Sequence, residues 1–191
     1  MKNPASIANP GDSIVIPACS IGPEVDYECE LAVVIGKDAR NVKKENALEH
    51  VFGYTVANDV SARRWQKNAG EGQWDRGKSF DTFCPLGPCL VTADEIPNPQ
   101  NLSLSTTLNT EIMQSSNTQD MIFTVADLVS EMSKDMTLLK GSVILTGTPS
   151  GVGVGRNPKV FLKAGDEVTC SISNIGELTN TVINAANPAD Q

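Results

Sequence analysis

The chain has 191 residues and a formal net charge of −8, from 15 Lys and Arg against 23 Asp and Glu. Such a chain lacks the basic excess that binds nucleic acids or anionic membranes, so we expect neither partner. No apolar run reaches the roughly 18 residues of a membrane-spanning helix, and residues 1–17 lack the apolar core of a signal peptide. We expect one domain, residues 1–191, in the cytoplasm. A mitochondrial location stays open, because a targeting segment could precede residue 1.

Short β-prone runs separated by turn residues recur along the chain. They predict strands at 13–17, 28–36, 52–59, 89–96, 103–109, 142–147, 168–173 and 178–184. Helical patterns are fewer and fall at 43–51, 61–67 and 124–134. The last is the clearest, because its apolar residues recur at helical spacing and Thr124 with Asp127 resembles a capping box. The predicted class is mainly β with a few short helices (α+β), closed by a hairpin turn at residues 173–177.

Two glutamates, Glu28 and Glu30, lie two residues apart at the start of the strand predicted at 28–36. Side chains two apart on a strand share a face, so both carboxylates point the same way. Two ionised carboxylates this close repel each other unless they share a proton, contact Lys or Arg, or bind a divalent cation. An all-oxygen ligand set selects Mg²⁺ or Mn²⁺, and Ca²⁺ is also compatible with it. The ordinary alternative is an edge strand whose glutamates face water.

Three further polar features follow along the chain. Asp59 ends the run 52–59, where it is either a third metal ligand or the cap of the helix predicted at 61–67. Lys78 lies among turn residues, where the ordinary interpretation is a surface lysine. The Gly-rich turn at 146–153 offers backbone N–H groups and hydroxyls to an anion, although a plain tight loop has the same composition. It lacks the lysine of a P-loop and is not followed by a helical pattern, so it is not a nucleotide motif.

Taken in order, these segments resemble the fumarylacetoacetate hydrolase family in its C-terminal catalytic domain, without the N-terminal lid segment of that family. The resemblance covers residues 2–184. It is carried by DYECELAVVIG, VFGYTVANDVSAR, GQWDRGKSFDTFCPLGP, QDMIFTVADLVSEMS, LTGTPSGVGVG and LKAGDEVTCSISNIG. One such segment is modest evidence, whereas several in one order and at natural spacing point to the family.

The resemblance implies the family's mixed β-roll, a barrel-like domain that forms homodimers. It implies a divalent cation, Mg²⁺ or Mn²⁺, held by Glu28, Glu30 and Asp59, and a catalytic Lys78 that faces the metal and the substrate. The substrate would be a small oxo acid. The residues expected to bind it are Arg63, Gln66, Thr82, Gly147, Thr148 and Pro149.

The implied activity is that of a metal-dependent hydrolase or lyase, which acts on C–C bonds of dioxo or β-keto acids through an enolate. Many hydrolytic members carry a His–Glu pair upstream of the segment that matches residues 1–7. The single histidine of this chain, His50, lies elsewhere. Two alternatives therefore stay open. One is an oxaloacetate-type decarboxylase or keto–enol tautomerase, which has less need of an activated water. The other is a non-catalytic metal-binding homologue or partner subunit.

Overall fold

The computed structural model describes residues 1–69 and 72–186, and most of its regular structure is β. The strands are β1 Ile7–Ala8, β2 Ile14–Ile16, β3 Val25–Asp26, β4 Cys29–Ile35, β5 Val51–Asn58, β6 Ser61–Ala62, β7 Cys84–Thr92, β8 Ser103–Leu108, β9 Glu111–Asn117, β10 Val143–Leu145, β11 Glu167–Ile172 and β12 Gly176–Asn184. The α-helices are α1 Trp74–Lys78 and α2 Val125–Met132. Short 3₁₀-helices span Pro4–Ser6, Lys44–His50, Thr118–Asp120 and Gly153–Gly155, and a π-helical turn spans Trp65–Ala69. Within the described ranges, no helix has the length and apolar character to cross a membrane.

The strands form two five-stranded sheets and a separate two-stranded ribbon of β3 and β6. The first sheet has the order β1-β7-β5-β4-β10, and the second has the order β2-β12-β11-β8-β9. Strand β4 is interior, since it pairs antiparallel with β5 on one side and with β10 on the other. Both of its faces carry apolar residues, as an interior strand requires. The predicted mainly β class and barrel-like arrangement are confirmed.

The side chains of β4 alternate between a core and a functional face. Cys29, Leu31, Val33 and Ile35 are all at most 1% exposed and belong to the larger hydrophobic core. The same core takes residues from the second sheet and from α2, among them Leu104, Cys170, Ile172, Leu178, Val125 and Val129. Because successive residues of a strand face opposite sides, Glu28 and Glu30 are directed away from this core. The alternation of side chains thus directs one set of residues into the core and the two glutamates to the opposite face.

Several strands differ from the sequence prediction. The two-residue strands β1, β3 and β6 have no predicted counterpart, and the longer strands β7 and β9 differ as well. Strand β7 begins at Cys84 and not at residue 89, because Pro85 and Pro88 interrupt a strand pattern. In the fold, Pro85 lies opposite the last residue of the two-residue strand β1, where the ladder ends. Strand β9 has no counterpart among the predicted strands, because its residues are mostly polar. It is an edge strand that pairs with β8 after a turn at Asn109, whose φ is 55°.

The helical predictions have mixed outcomes. The segment 43–51 is a 3₁₀-helix, and the segment 61–67 begins as strand β6 before it becomes helical. The predicted helix at 124–134 is confirmed as α2, and Thr124 with Asp127 forms a complete capping box. Helix α1 was not predicted, and Lys78 is its last residue. The final hairpin turn, between β11 and β12, is confirmed. The expectation of one domain over 1–191 stays a prediction, and residues 70, 71 and 187–191 lie outside the described residues.

Candidate metal and substrate site

Three buried carboxylates converge at one end of β4 and β5. Glu28, Glu30 and Asp59 each bring one oxygen to within 4.8 Å of the others. The antiparallel register places Cys29 opposite Asn58, so the residues that precede β4 and follow β5 are neighbours. The backbone N–H of Asp59 donates to the carbonyl of Glu28 at 2.8 Å, and the N–H of Glu28 donates to Oδ1 of Asn58 at 3.0 Å. The pairing of the two strands thus brings the third carboxylate to the glutamate pair.

Two lysines compensate part of this negative charge. The Lys78 ammonium donates to Glu28 at 2.8 Å, to Oδ2 of Asp59, and to the Ser61 hydroxyl at 2.9 Å. Lys2 donates to the other oxygen of Asp59 at 2.7 Å. Although burial opposes the charged form, the positive charges of Lys2 and Lys78 lower the pKa of Asp59. Burial also opposes the charge on Lys78, but Asp59 and Glu28 outweigh it and raise the pKa of Lys78.

Arg63 joins the cluster to a second buried acid, Asp26. Its guanidinium lies 2.7 Å from Oε1 of Glu28 and donates from Nε to Oδ2 of Asp26 at 2.8 Å. It also donates to the side-chain oxygen of Gln66 at 3.1 Å. Asp26 in turn accepts the backbone N–H groups of residues 153 and 154 at 2.7 and 2.9 Å. Arg63 is therefore fixed between two carboxylates, with Gln66 aligned beside it.

Glu30 differs from Glu28 and Asp59, because no basic side chain in the described part of the chain contacts its carboxylate. Its Oε2 accepts the backbone N–H of Gly147 at 2.7 Å. Burial, followed by repulsion from Asp59 and Glu28, raises the pKa of Glu30 to about 8. With Asp26 included, the cluster contains four carboxylates but only three basic side chains among the described residues, those of Lys2, Arg63 and Lys78. A hard divalent cation fits this set, since its preferred ligands are carboxylate oxygens and one carboxylate has no positive partner.

The loop 146–150 lies along β4 and borders the carboxylates. The hydroxyls of Thr146 and Thr148 donate to the carbonyls of Leu31 and Cys29, each at 2.9 Å. Gly147, between them, has a φ of 96°, which is a conformation that glycine adopts without strain. The loop is thus bonded at alternate residues to the strand that carries Glu30.

A pocket of about 620 Å³ opens onto the carboxylates. Its walls contain nearly all of the predicted site residues, namely Glu28, Glu30, Asp59, Arg63, Gln66, Lys78, Gly147, Thr148 and Pro149. Thr82 is not brought to this pocket. Its hydroxyl accepts the backbone N–H of Val15 at 2.8 Å, so the side chain ties β2 to the segment before β7. The Thr82 hydroxyl is thus bonded within the fold, outside the pocket that the other predicted residues line.

Three residues that hold the site together have no counterpart among the predicted site residues: Lys2, Asp26 and Gln114. Asp26 could have been predicted, because residues 26, 28 and 30 are two apart and therefore lie on one face of an extended chain. Lys2 has none, since it precedes any regular pattern and meets Asp59 only in the tertiary fold. Gln114 belongs to the unpredicted strand β9, and its side-chain amide contacts the loop 146–150.

His50 lies away from this pocket. Its Nδ1 is 3.3 Å from the carbonyl of Lys37, and it ends the 3₁₀-helix Lys44–His50. Since it is the single histidine of the sequence, the part of the chain that the structure describes places no His–Glu pair beside the carboxylates.

Comparisons with known proteins identify the family of this chain. The family model described as fumarylacetoacetate (FAA) hydrolase C-terminal matches residues 1–183. The chain is 52% identical over 182 residues to the human oxaloacetate tautomerase FAHD2A, mitochondrial, an alignment that covers 95% of this chain and 57% of that protein. It is 49% identical over 186 residues to the fumarylacetoacetate hydrolase domain-containing protein 2 homolog of Dictyostelium discoideum, with coverages of 93% and 60%. The chain thus spans less than two thirds of the length of these relatives.

Solved structures show the same fold. A fumarylacetoacetate hydrolase from Exiguobacterium antarcticum superposes with a TM-score of 0.91 at 46% identity, over 96% of this chain and 65% of that one. The maleylpyruvate hydrolase from Sphingobium sp. SYK-6, in complex with manganese(II) ion and pyruvate, superposes with a TM-score of 0.85 at 34% identity, over 97% and 64%. From the family model, the relatives and the shared fold, we conclude that this chain belongs to the fumarylacetoacetate hydrolase family.

Proposed function

We propose that this chain is a divalent-cation-dependent enzyme of small oxo acids, and that it interconverts the keto and enol forms of oxaloacetate or a similar β-keto acid. The observation that carries the proposal is the buried set of Glu28, Glu30 and Asp59, which opens to a pocket shared with Lys78. The choice of substrate is supported by relatives from human and Xenopus laevis that are named oxaloacetate tautomerases.

Glu28, Glu30 and Asp59 would hold the cation, which we propose to be Mg²⁺ or Mn²⁺. A cation in this set would supply positive charge to a substrate oxygen on which negative charge develops. The manganese(II) complex of the Sphingobium enzyme supports Mn²⁺, and the all-oxygen ligand set supports Mg²⁺ equally well. Ca²⁺ accepts the same ligands and belongs in the same binding assay.

The remaining groups of the pocket orient the substrate and move its proton. Keto–enol interconversion transfers one proton between a carbon and the neighbouring carbonyl oxygen and consumes no water, so one acid–base group suffices. We assign that group to Lys78, whose ammonium lies between Glu28 and Asp59. In the enol-to-keto direction the ammonium donates a proton to carbon, and the resulting amine accepts the proton of the enol oxygen, which restores the ammonium. Gln66 uses its side-chain oxygen to accept from Arg63, and its amide nitrogen has no acceptor among the described residues. That nitrogen is available to a ligand oxygen.

The experiment follows oxaloacetate by proton NMR with purified protein and Mg²⁺, with EDTA, and without protein. We expect faster keto–enol exchange that requires both protein and metal. Lys78→Met should abolish this exchange and leave Mg²⁺ binding intact, whereas the exposed Glu177→Gln should behave like the wild type. Pyruvate formation would identify a decarboxylase. If the folded, metal-bound protein has no effect on oxaloacetate, the proposal is wrong and the non-catalytic alternative gains support.

Hydrolysis of a C–C bond is the second candidate, and it is favoured by the similarity to maleylpyruvate hydrolase. Hydrolysis requires a group that activates water. In the described ranges, the pocket contains no histidine, and His50 is bound to the Lys37 carbonyl elsewhere. We therefore rank hydrolysis second. Incubation with maleylpyruvate or acylpyruvates, followed by NMR detection of pyruvate, separates it from isomerisation.

Location and assembly are further proposals. The word mitochondrial in the names of the human and bovine relatives supports the mitochondrial location over the cytoplasmic one. Cell fractionation with an antibody to the protein tests it. The homodimer implied by the resemblance is tested by sedimentation velocity, where a monomer at micromolar concentration would contradict it.

A further inference from the structure

We propose that Gln114 is a positioning residue that fixes the loop 146–150 and thereby determines how the site binds a substrate carboxylate. The inference deepens the proposed function and rests on it for the nature of the ligand. Gln114 lies on strand β9 and is 1% exposed, so its polar atoms have no access to solvent. A buried amide is costly unless its polar groups are all bonded, which makes its contacts informative.

The amide of Gln114 uses its full capacity for hydrogen bonds. Its oxygen accepts the backbone N–H of Cys29 at 3.1 Å and the hydroxyl of Thr106 at 2.6 Å. Its nitrogen donates to the hydroxyl oxygen of Thr148 at 2.8 Å and to the carbonyl of Pro149 at 3.0 Å. Two lone pairs and two hydrogens are all that a side-chain amide offers. One side chain thus joins the second sheet, the strand β4 and the substrate loop.

The bond from Gln114 sets the orientation of the Thr148 hydroxyl. That oxygen accepts from Gln114 and donates its only hydrogen to the carbonyl of Cys29 at 2.9 Å. The hydroxyl therefore has no hydrogen left for a ligand. The backbone N–H of Thr148 has no acceptor within the described structure, so it remains for an anion. The loop then receives a carboxylate through its main chain, whose position depends on Gln114.

The same loop reaches the acidic cluster through the residue before Thr148. Gly147 donates its N–H to Glu30 at 2.7 Å, so displacement of the loop removes the only polar contact of this carboxylate in the described ranges. Without Gln114, the segment keeps the bond from Thr146 to Leu31 at one end but loses two bonds in its middle. The expected consequence is a loop with more freedom on the ligand side.

A purely structural role for Gln114 is the competing interpretation, and Thr106 provides the matched control. Thr106 is 0% exposed and donates to the same oxygen of Gln114. It has no bond to the loop 146–150. Thr106→Val therefore removes a buried hydrogen bond at the same depth and leaves the loop contacts of Gln114 in place. Gln114→Met removes both kinds of contact at similar volume.

The experiment measures oxalate binding by calorimetry in the presence of Mg²⁺, and hydrogen exchange of residues 146–154. We expect Gln114→Met to weaken oxalate binding about tenfold, as the loss of one to two hydrogen bonds predicts, and to accelerate exchange in the loop. Thr106→Val should lower the thermal midpoint but keep both properties within about twofold of the wild type. Equal effects of the two variants, or wild-type oxalate binding by Gln114→Met, would overturn the proposal.

A second variant covers the case in which Gln114→Met does not fold. Gln114→Glu retains the accepting oxygen and the shape, but has at most one hydrogen to offer in place of two. It should show the same loss of oxalate affinity and of loop protection, and retention of both would refute the role of Gln114. Neither readout needs turnover. A wild-type protein that binds oxalate but leaves oxaloacetate unchanged would contradict the proposed isomerisation and leave this inference standing. If the wild type does not bind oxalate, hydrogen exchange of the loop alone decides whether Gln114 positions it.

Discussion

Gly147 donates its backbone N–H to Glu30 at 2.7 Å, and no basic side chain contacts this carboxylate in the described residues. Glu28 forms ion pairs with Lys78 and Arg63, and Asp59 forms ion pairs with Lys2 and Lys78. Glu30 is therefore the proposed ligand whose charge depends most on a bound cation.

Replacement of this carboxylate should separate metal affinity from stability. We expect Glu30→Gln to weaken Mg²⁺ binding by at least about 100-fold, because one of three anionic ligands is lost. The thermal midpoint of the metal-free protein should stay the same or rise, since a buried carboxylate without a cationic partner is removed. Calorimetry with Mg²⁺ and thermal unfolding in EDTA test both statements. The variant Glu177→Gln is the surface control, and Mg²⁺ affinity at the wild-type level in Glu30→Gln would contradict the site.

The pair of Asp26 and Arg63 should contribute to stability. Asp26 is fully buried and Arg63 is 8% exposed, so Asp26→Asn leaves a buried guanidinium with one carboxylate partner, Glu28, in place of two. Loss of one member of a buried ion pair costs about 3–5 kcal/mol, and we expect the free energy of unfolding to fall by about 3 kcal/mol. Urea denaturation measures it. The exposed pair of Arg40 and Asp135 is the comparison, because Asp135→Asn should change stability by less than about 1 kcal/mol.

Two glycines in one 3₁₀-helix should respond oppositely to alanine. A Cβ on Gly153 would lie 1.7 Å from the carbonyl oxygen of Val160 and 2.7 Å from Oδ1 of Asp26, so the backbone must shift. We expect Gly153→Ala to lower the free energy of unfolding by about 2 kcal/mol or more. At Gly155 the nearest atom is a methyl of Val152 at 3.8 Å, and Gly155→Ala should leave stability unchanged or raise it by about 0.5 kcal/mol. Equal thermal midpoints for the two variants would contradict this packing.

The capping box of α2 should give a defined pH dependence. Bonds from Lys44 and then Thr124 lower the pKa of Asp127 to about 2, from an ordinary value of 3.8. Because the folded pKa lies below the unfolded one, the ionised carboxylate stabilises the helix above about pH 4 and loses this effect as the pH falls to about 2. The difference in thermal midpoint between wild type and Asp127→Asn should vanish over that range. A carboxyl titration by NMR checks the pKa, and Lys44→Ala should raise it.

Much of the acidic site was predictable, because its signals are local. The alternation of β4 places Glu28 and Glu30 on one face, and Asp59 ends the run that pairs with them. Lys78 was found through the family resemblance and not through a local pattern, since the helix that carries it has only five residues. Short helices of this kind are stabilised by tertiary contacts, which a sequence window does not contain.

The parts that could not be predicted depend on distant partners. Lys2 meets Asp59 across 57 residues, and Gln114 meets Cys29 across 85, so no periodicity reveals either contact. Thr82 differs from these residues, because its place in a recognisable motif led to the prediction of a substrate contact. Its φ of 67° and its bond to Val15 direct the hydroxyl elsewhere. The candidate binding residues could thus be predicted from the sequence, whereas the residues that position them became visible only in the fold.

The parallel pairing of β2 with β12 has a consequence for the order of folding. Ile14 lies opposite Val182, and β2 is an edge strand whose only neighbour in its sheet is β12. During synthesis, the ribosome must therefore translate almost the whole described chain before β2 finds its partner. Contacts this distant in sequence slow folding, and the unpaired strand is open to aggregation in the meantime. Chaperone protection of the nascent chain should consequently be needed until β12 emerges.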